Sequence, residues 1–176
     1  MRFIWVFLVS AMCALGSGEL SGRRAPGFAL PDSSTKLHDP MDYRGKVLIV
    51  DFMQVTCEHC VQFSAILEQA KARYGDKIAI LSIVNPPSEQ KGVAEYISKN
   101  KVTSPILFDC GQVAFSYLKP TSNSIQIPHV FLIDGEGMIR NDFGYAANTV
   151  NIFEGKGFFA ELDKVLATKP GAAPKK

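Results

Sequence analysis

Hydrophobic residues follow two different periods along this chain, and the point where one replaces the other is its most informative stretch. The strand predicted for residues 46–53 is almost continuously apolar, which is typical of a buried strand. From Val61 onward, apolar side chains recur at helical spacing up to Gly75, which predicts a helix that ends there. The chain therefore carries the C-x-x-C sequence of residues 57–60 from a strand end to a helix start.

The rest of the chain alternates predicted strands and helices. Two short extended pieces lie near residues 28–30 and 35–37. Further strands are predicted at 77–84, 105–109, 129–134 and 138–145, and further helices at 88–100, 111–118 and 156–167. This order predicts an α/β fold, a central mixed β-sheet flanked by helices. Ligands of such sheets bind at the carboxyl ends of the strands, where Cys57 falls.

The two ends of the chain differ from the domain between them. Residues 3–16 form an apolar run that is shorter than the ~20 residues needed to span a bilayer and ends in small residues. We therefore predict a signal peptide at 1–16, a flexible segment at 17–24, one domain at 25–168 and a disordered tail at 169–176. The alternatives for the N-terminus are an uncleaved anchor or a lipoprotein site at Cys13.

Composition and charge narrow the class of protein. The 176 residues are 47% hydrophobic and 20% charged, which suits one domain with a buried core. A formal net charge of +2, without a basic run, excludes a nucleic-acid partner. We expect the protein to be exported to a periplasmic or extracytoplasmic location, and to be tethered to the membrane only if its N-terminal segment is not cleaved.

Three cysteines remain beyond the predicted signal, and two of them form a candidate redox site. A helix N-terminus stabilises a thiolate, so we expect Cys57 to be the exposed, attacking sulfur. Cys60 lies one turn later and is expected to face inward and resolve mixed disulfides. A zinc half-site is the structural alternative, but no second C-x-x-C or C-x-x-H pair completes it. We predict no metal and no cofactor.

The other polar residues near the pair leave alternatives open. A protonated His59 would favour a Cys57 thiolate, whereas Glu58 would act in the opposite direction; alternatively, both are simply solvated residues at the helix start. Cys110 follows a predicted parallel strand and is therefore expected at the active-site end of the sheet. We expect it to be buried and inert, rather than a third redox thiol or an intermolecular bridge, because free cysteine packs as a small hydrophobe.

Three blocks of sequence carry a resemblance to a known family. Residues 25–32 read A-P-x-F-x-L-x-D, residues 45–60 join a G-K-V strand to the C-x-x-C helix, and residues 127–137 read I-P-x-x-F-L-I-D-x-x-G. In this order they resemble the thioredoxin superfamily, in particular its exported TlpA/ResA-like branch of redoxin (AhpC/TSA) type. The resemblance covers about residues 25–168. It implies a thioredoxin-like fold with an extra helix and strand near 86–109.

The same resemblance implies roles for further residues. It implies that Pro128 is cis beside the cysteines, with the backbone of Ile127 pairing to a substrate strand; a trans proline that starts a strand is the alternative. Asp51 matches a buried acid that would accept the proton of Cys60, with a pKa raised by burial. An ordinary hydrogen-bonded aspartate is the alternative there. His129 either faces the disulfide or only lines the groove.

The implied function is that of an exported thiol–disulfide oxidoreductase. It would act on protein thiols and disulfides, with an upstream redox partner protein, as a monomer without stable membrane insertion after signal cleavage; cytochrome c maturation is one process such proteins serve. A redoxin-type thiol peroxidase and a Sco-like copper carrier are the alternatives. Peroxidases have P-x-x-x-T/S-x-x-C, but here the proline is missing and Thr56 adjoins Cys57. Sco proteins use C-x-x-x-C.

Overall fold

The computed structural model describes residues 20–84, 90–120 and 125–168. The predicted signal peptide, the first three residues of the predicted flexible segment and the predicted tail lie outside these residues. The strands are β1 (Leu30–Pro31), β2 (Leu37–His38), β3 (Val47–Met53), β4 (Ile78–Val84), β5 (Ile106–Phe108), β6 (His129–Ile133) and β7 (Ile139–Gly144). The helices are α1 (Glu58–Tyr74), α2 (Gln90–Asn100), α3 (Gln112–Leu118), α4 (Val150–Phe153) and α5 (Lys156–Leu166).

The central sheet has the strand order β5-β4-β3-β6-β7. The strands β3, β4 and β5 run parallel, whereas β6 pairs antiparallel with both β3 and β7, so the predicted mixed sheet is confirmed. Strand β3 lies in the middle, and all seven of its residues are buried. Its unbroken apolar pattern is explained by this position, because a central strand covered on both faces has no side exposed to water.

Helices pack on both faces of the sheet. Successive residues of a strand point to opposite faces. Ile49 accordingly packs with Phe63 of α1 and Phe158 of α5, whereas Val50 packs with Tyr117 of α3 on the other face. Helix α1, which contains Cys60, therefore packs on the sheet through the same apolar side chains whose spacing predicted a helix here.

The inserted segment, α2 and β5, extends the core beside the cysteines. Tyr96 of α2 belongs to a third hydrophobic cluster that also contains Cys60. On the far side of α1, the Glu68 carboxylate accepts hydrogen bonds from the backbone N–H groups of Thr103 and Ser104, each at 3.0 Å. The insertion is thus anchored to the helix that carries the cysteines.

The predicted elements are confirmed with small shifts at their ends. Helix α1 ends at Gly75, whose φ of +53° favours glycine. Helix α4 was not predicted, because its four residues are too few to show a helical period. The start predicted for α2, residues 88–89, and the predicted strand stop at 85–87 lie outside the described residues.

Candidate active site

Strand β3 and helix α1 position the two cysteines. After β3 ends at Met53, a short turn leads to Cys57, which is the N-cap of α1; its sulfur accepts a hydrogen bond from the Cys60 N–H at 3.2 Å. Cys57 and Cys60 form a disulfide with their Cα atoms 5.2 Å apart. The two residues expected to act as a pair are therefore bonded to each other.

The two sulfurs differ in their exposure to solvent. Cys57 is half-buried, whereas Cys60 is only 1% exposed and packs in the cluster formed with the insertion. A molecule that approaches from solvent therefore reaches the Cys57 sulfur before that of Cys60. This difference is the one expected from their order at the helix start.

Asp51 is a buried acid in the middle of the sheet. It is 2% exposed, it lies opposite Ser82 of β4 and Val130 of β6, and the alternation of β3 places it on the α1 face with Ile49. Burial raises the pKa of Asp51 to about 7, and a hydrogen bond with Ser82 opposes this shift. Within the described part of the chain, its Oδ1 atom has no hydrogen-bond partner. Asp51 is therefore suited to exchange a proton near neutral pH.

Tyr96 of the insertion binds to the cysteine helix. Its hydroxyl donates a hydrogen bond to the Cys60 carbonyl at 3.1 Å. Burial raises the pKa of Tyr96 to about 12, and the charge of Asp51 acts in the same direction. The sequence alone did not single out Tyr96 as a site residue, because no motif reveals the partner of a buried hydroxyl.

The predicted substrate-binding residues lie on the other side of the pair. The Ile127–Pro128 peptide bond is cis, as the resemblance implied, and Pro128 is buried. Ile127 is half-buried and packs, like Cys57, against the cluster that contains Cys60. The structure therefore brings Ile127 and the cysteines to one place.

His59 is exposed but has a defined neighbour. Its ring stacks on that of Tyr145, with centroids 4.0 Å apart and planes inclined by 19°. The backbone N–H of Tyr145 donates to the Pro128 carbonyl at 3.0 Å, so the stack connects the C-x-x-C turn with the proline segment. Sequence reasoning missed Tyr145, which it treated only as the end of the last strand.

His129 lies on the sheet face opposite α1. Its ring stacks on Phe131 at 4.7 Å, and Phe131 belongs to the cluster beneath α3. Its Nε2 atom lies 3.3 Å from Oδ2 of Asp142, whose Oδ1 accepts the hydroxyl of Ser21 at 2.6 Å. The side chain of His129 therefore joins β6 to the N-terminal segment and points away from the disulfide side of the sheet.

Cys110 is exposed, so the expectation that it is buried was wrong. The reason is local. Asp109 is buried, and its carboxylate accepts the backbone N–H groups of Val113 and Ala114 at 3.2 and 2.8 Å, which caps α3. With Asp109 directed inward, the adjacent Cys110 points to solvent. It follows strand β5, which runs parallel to β3 within the sheet, and so lies at the same sheet edge as Cys57.

The described residues contain neither a cluster of metal-ligating side chains nor a membrane-spanning helix. In ranges 20–84, 90–120 and 125–168, no three His, Cys, Asp or Glu side chains converge as metal ligands would. In the same ranges, no helix combines the length and apolar character needed to cross a membrane.

The fold and the site define a class: a thioredoxin-like α/β protein that carries a C-x-x-C disulfide at the start of a helix, facing a cis-proline segment. The chain belongs to the AhpC/TSA family, whose family model matches residues 21–142. This match confirms the resemblance stated from the sequence.

Curated relatives give the same result. The chain is 25% identical over 126 residues to the thioredoxin-like protein YneN of Bacillus subtilis, a match that covers 70% of this chain and 71% of YneN. It is 28% identical over 120 residues to the thiol-disulfide oxidoreductase ResA of Geobacillus kaustophilus, covering 68% of this chain and 66% of ResA. The predicted enzyme class, thiol–disulfide oxidoreductase, is the class that the ResA relative carries in its name.

Solved structures confirm the fold. A putative thiol:disulfide interchange protein DsbE from Chlorobium tepidum matches with a TM-score of 0.70 at 21% identity, covering 84% of this chain and 98% of the other. A putative thioredoxin from Neisseria meningitidis matches with a TM-score of 0.70 at 20% identity, covering 85% and 95%. The predicted thioredoxin-like fold is therefore confirmed.

Proposed function

We propose that this protein is a thiol–disulfide oxidoreductase that exchanges disulfides with protein substrates, with Cys57 as the attacking and Cys60 as the resolving cysteine. The observation that supports this most directly is the disulfide itself, which has one half-buried and one fully buried sulfur at a helix start. The positive end of the helix dipole favours a thiolate at Cys57, and the thiolate is the species that attacks disulfides.

Thiol–disulfide exchange moves two electrons between sulfur atoms, so the proposed reaction needs no cofactor. In the reducing direction, the Cys57 thiolate attacks a substrate disulfide, whose S–S bond breaks as a mixed disulfide forms and one substrate thiolate leaves. Cys60 then loses its proton and attacks the Cys57 sulfur, which releases the second substrate thiolate. The substrate gains two electrons, and the protein loses two electrons because its Cys57–Cys60 disulfide has formed. In the oxidising direction, the same steps run in reverse.

Asp51 is proposed as the base that takes the proton of Cys60. Its support is burial on the α1 face of the strand that leads to Cys57, and a pKa raised by that burial to about 7. A base with a pKa near the working pH is partly deprotonated and accepts a proton effectively. This role requires a carboxyl whose oxygens do not all accept hydrogen bonds.

The remaining predicted site residues are proposed for binding and for tuning the thiolate. We propose that Ile127 and Pro128 form one wall of the groove for an extended substrate, with the Ile127 backbone as the pairing group. Their support is the packing of Ile127 against the cysteine cluster. We propose that His59, when protonated, stabilises the Cys57 thiolate from the adjacent turn.

Export and partners belong to the same proposal. The apolar N-terminal run of residues 3–16 supports export to an extracytoplasmic space, where an upstream protein would recycle the cysteine pair. Cytochrome c maturation is the process that we propose it serves, and we expect the protein to be a monomer. Sequencing the N-terminus of the mature protein tests the cleavage, because an intact Met1 would contradict it.

A trapping experiment tests the cysteine roles. The Cys60→Ser variant, made in a Cys110→Ser background, retains Cys57 as its single reactive cysteine in the domain. With a disulfide-bonded peptide it should accumulate a covalent adduct that dithiothreitol releases, because no resolving thiol is present. The matched Cys57→Ser, Cys110→Ser protein should accumulate far less, since the Cys60 sulfur is buried. Equal trapping by the two proteins, or none by either, would contradict the proposal.

A further inference from the structure

The ring of Tyr145 is held against the C-x-x-C turn by its own surroundings. Its centroid lies 4.0 Å from that of His59, and its edge also contacts Phe153 of α4 at a centroid distance of 5.4 Å. Its backbone N–H is bonded to the Pro128 carbonyl at 3.0 Å. Tyr145 is therefore fixed by contacts that do not depend on His59.

The turn that carries Tyr145 is fixed as well. The Thr149 hydroxyl donates to the Gly144 carbonyl at 2.6 Å and accepts the Ala146 N–H at 2.9 Å, which closes the chain on either side of Tyr145. The side-chain amide of Gln126 donates to the Tyr145 carbonyl. His59, by contrast, is exposed at the first turn of α1. The ring of Tyr145, which has several contacts of its own, thus determines the position of the exposed imidazole of His59.

We propose that Tyr145 is a positioning residue for His59 and, through it, sets the equilibrium between the dithiol and disulfide forms of the pair. This inference rests on the proposed function of Cys57. A cation over an aromatic face is attracted by the ring quadrupole, so the Tyr145 ring holds a protonated His59 imidazole in the stacked position beside the C-x-x-C turn. That positive charge lies two residues from Cys57 and favours its thiolate over its thiol.

Two further charges act on the Cys57 thiolate: the carboxylate of Glu58 and the dipole of helix α1. Glu58, exposed on the same turn, opposes the effect of His59 because its carboxylate disfavours a neighbouring thiolate. The helix dipole of α1 acts in the same direction as His59. Stabilising the thiolate stabilises the reduced protein, so the stack makes the pair a stronger oxidant. Loss of the ring should shift the equilibrium toward the disulfide.

The test compares the Cys57 thiolate and the redox equilibrium in matched variants. Tyr145→Leu should raise the Cys57 thiol pKa, followed by thiolate absorbance in a Cys60→Ser, Cys110→Ser background. The same substitution should shift the glutathione equilibrium of the intact pair toward the disulfide by at most about threefold, because the energy of an exposed cation–π contact is the upper limit of the transmitted effect. Tyr145→Phe, which keeps the ring, should retain most of the effect.

Two controls separate positioning from structure. In a His59→Asn background, Tyr145→Leu should change neither quantity, because no imidazolium remains to be stabilised. Tyr74→Leu removes a tyrosine at the opposite end of α1, where its hydroxyl bonds to Asp163, and should also leave both quantities unchanged. Equal shifts with and without His59, or no shift in its presence, would overturn the inference. A pair that never equilibrates with glutathione in the unsubstituted protein would instead contradict the proposed function.

Discussion

Asp51 beneath the C-x-x-C helix and Asp32 in the β1–β2 hairpin are both largely withdrawn from water, but they differ in the donors around them. Asp32 lies 3.0 Å from Nε2 of His38 and accepts the backbone N–H groups of Ser34 and Lys36 at 2.8 and 3.0 Å. Burial alone would raise the pKa of Asp32, but these hydrogen bonds outweigh it and lower the pKa below its usual value. Asp51 has a pKa raised to about 7 by its burial.

The difference shows how one side-chain type acquires two uses. The hairpin carboxylate is saturated with donors, and the cluster continues from His38 Nδ1 to the Tyr43 hydroxyl at 2.6 Å, so its charge stabilises a local structure. One oxygen of the Asp51 carboxyl has no hydrogen-bond partner in the described residues, so its surroundings stabilise the charged form of Asp51 poorly. A buried acid with few donors is costly to ionise, and for that reason it is available for proton transfer at neutral pH.

The largest expected effect is on the pH dependence of stability, measured on the disulfide form with Asp51→Asn. Because the folded-state pKa of Asp51 is raised from 3.8 to about 7, its protonated form stabilises the fold fully below pH 3.8. That contribution is lost as the pH rises to 7. Denaturant unfolding should therefore show the variant gaining about 3 kcal/mol relative to the unsubstituted protein between pH 4 and pH 7.

Ser82→Ala is the matched control for this series. It removes the hydroxyl that opposes the pKa shift of Asp51 but leaves the carboxyl in place, so its stability should still fall across the same pH range. A difference between Asp51→Asn and the unsubstituted protein that stays constant from pH 4 to pH 7 would show that Asp51 titrates normally. The contrast with Asp32 would then disappear.

The next effect concerns the resolving step. Asp51→Asn should slow the attack of Cys60 on the mixed disulfide at pH 7 by about 100-fold, the lower end of general-base contributions. Acid-quenched mixtures of the reduced protein with a disulfide peptide measure this rate. In the unsubstituted protein the rate should rise as Asp51 loses its proton near pH 7, and the variant should lack that inflection. A rate equal to that of the unsubstituted protein from pH 6 to pH 8 would remove Asp51 from the proton transfer.

The sequence predicted those parts of the site that depend on order along the chain. The position of Asp51 on a buried strand, and of Cys57 before a helix, follow from hydrophobic periodicity alone, and the cis proline followed from family resemblance. Tyr96 and Tyr145 could not be found in this way, because their partners lie 36 residues away at Cys60 and 86 residues away at His59.

Cys110 shows a different limit. Its hydrophobic character predicted burial, but the outcome depends on the hydrogen bonds that Asp109 makes with the first turn of α3. Such local hydrogen bonds decide which of two neighbouring side chains points into the core, and composition and spacing do not reveal these bonds. Neither does a pattern of spacing distinguish the donor-rich surroundings of Asp32 from the donor-poor ones of Asp51.

The smallest effect is expected in the hairpin, where Asp32→Asn should lower the free energy of unfolding by about 2 kcal/mol at pH 7, as for hydrogen bonds to a charged group. Because the folded-state pKa of Asp32 is lowered, this cost should shrink as the pH falls below 3.8, a range separate from that of Asp51. Asp39→Asn is the matched control, because asparagine replaces aspartate well at its capping position. Denaturant unfolding at pH 7 and pH 3 measures both. An equal loss of stability in Asp32→Asn at the two pH values would mean that the shape of the Asp32 side chain, and not its charge, stabilises the hairpin.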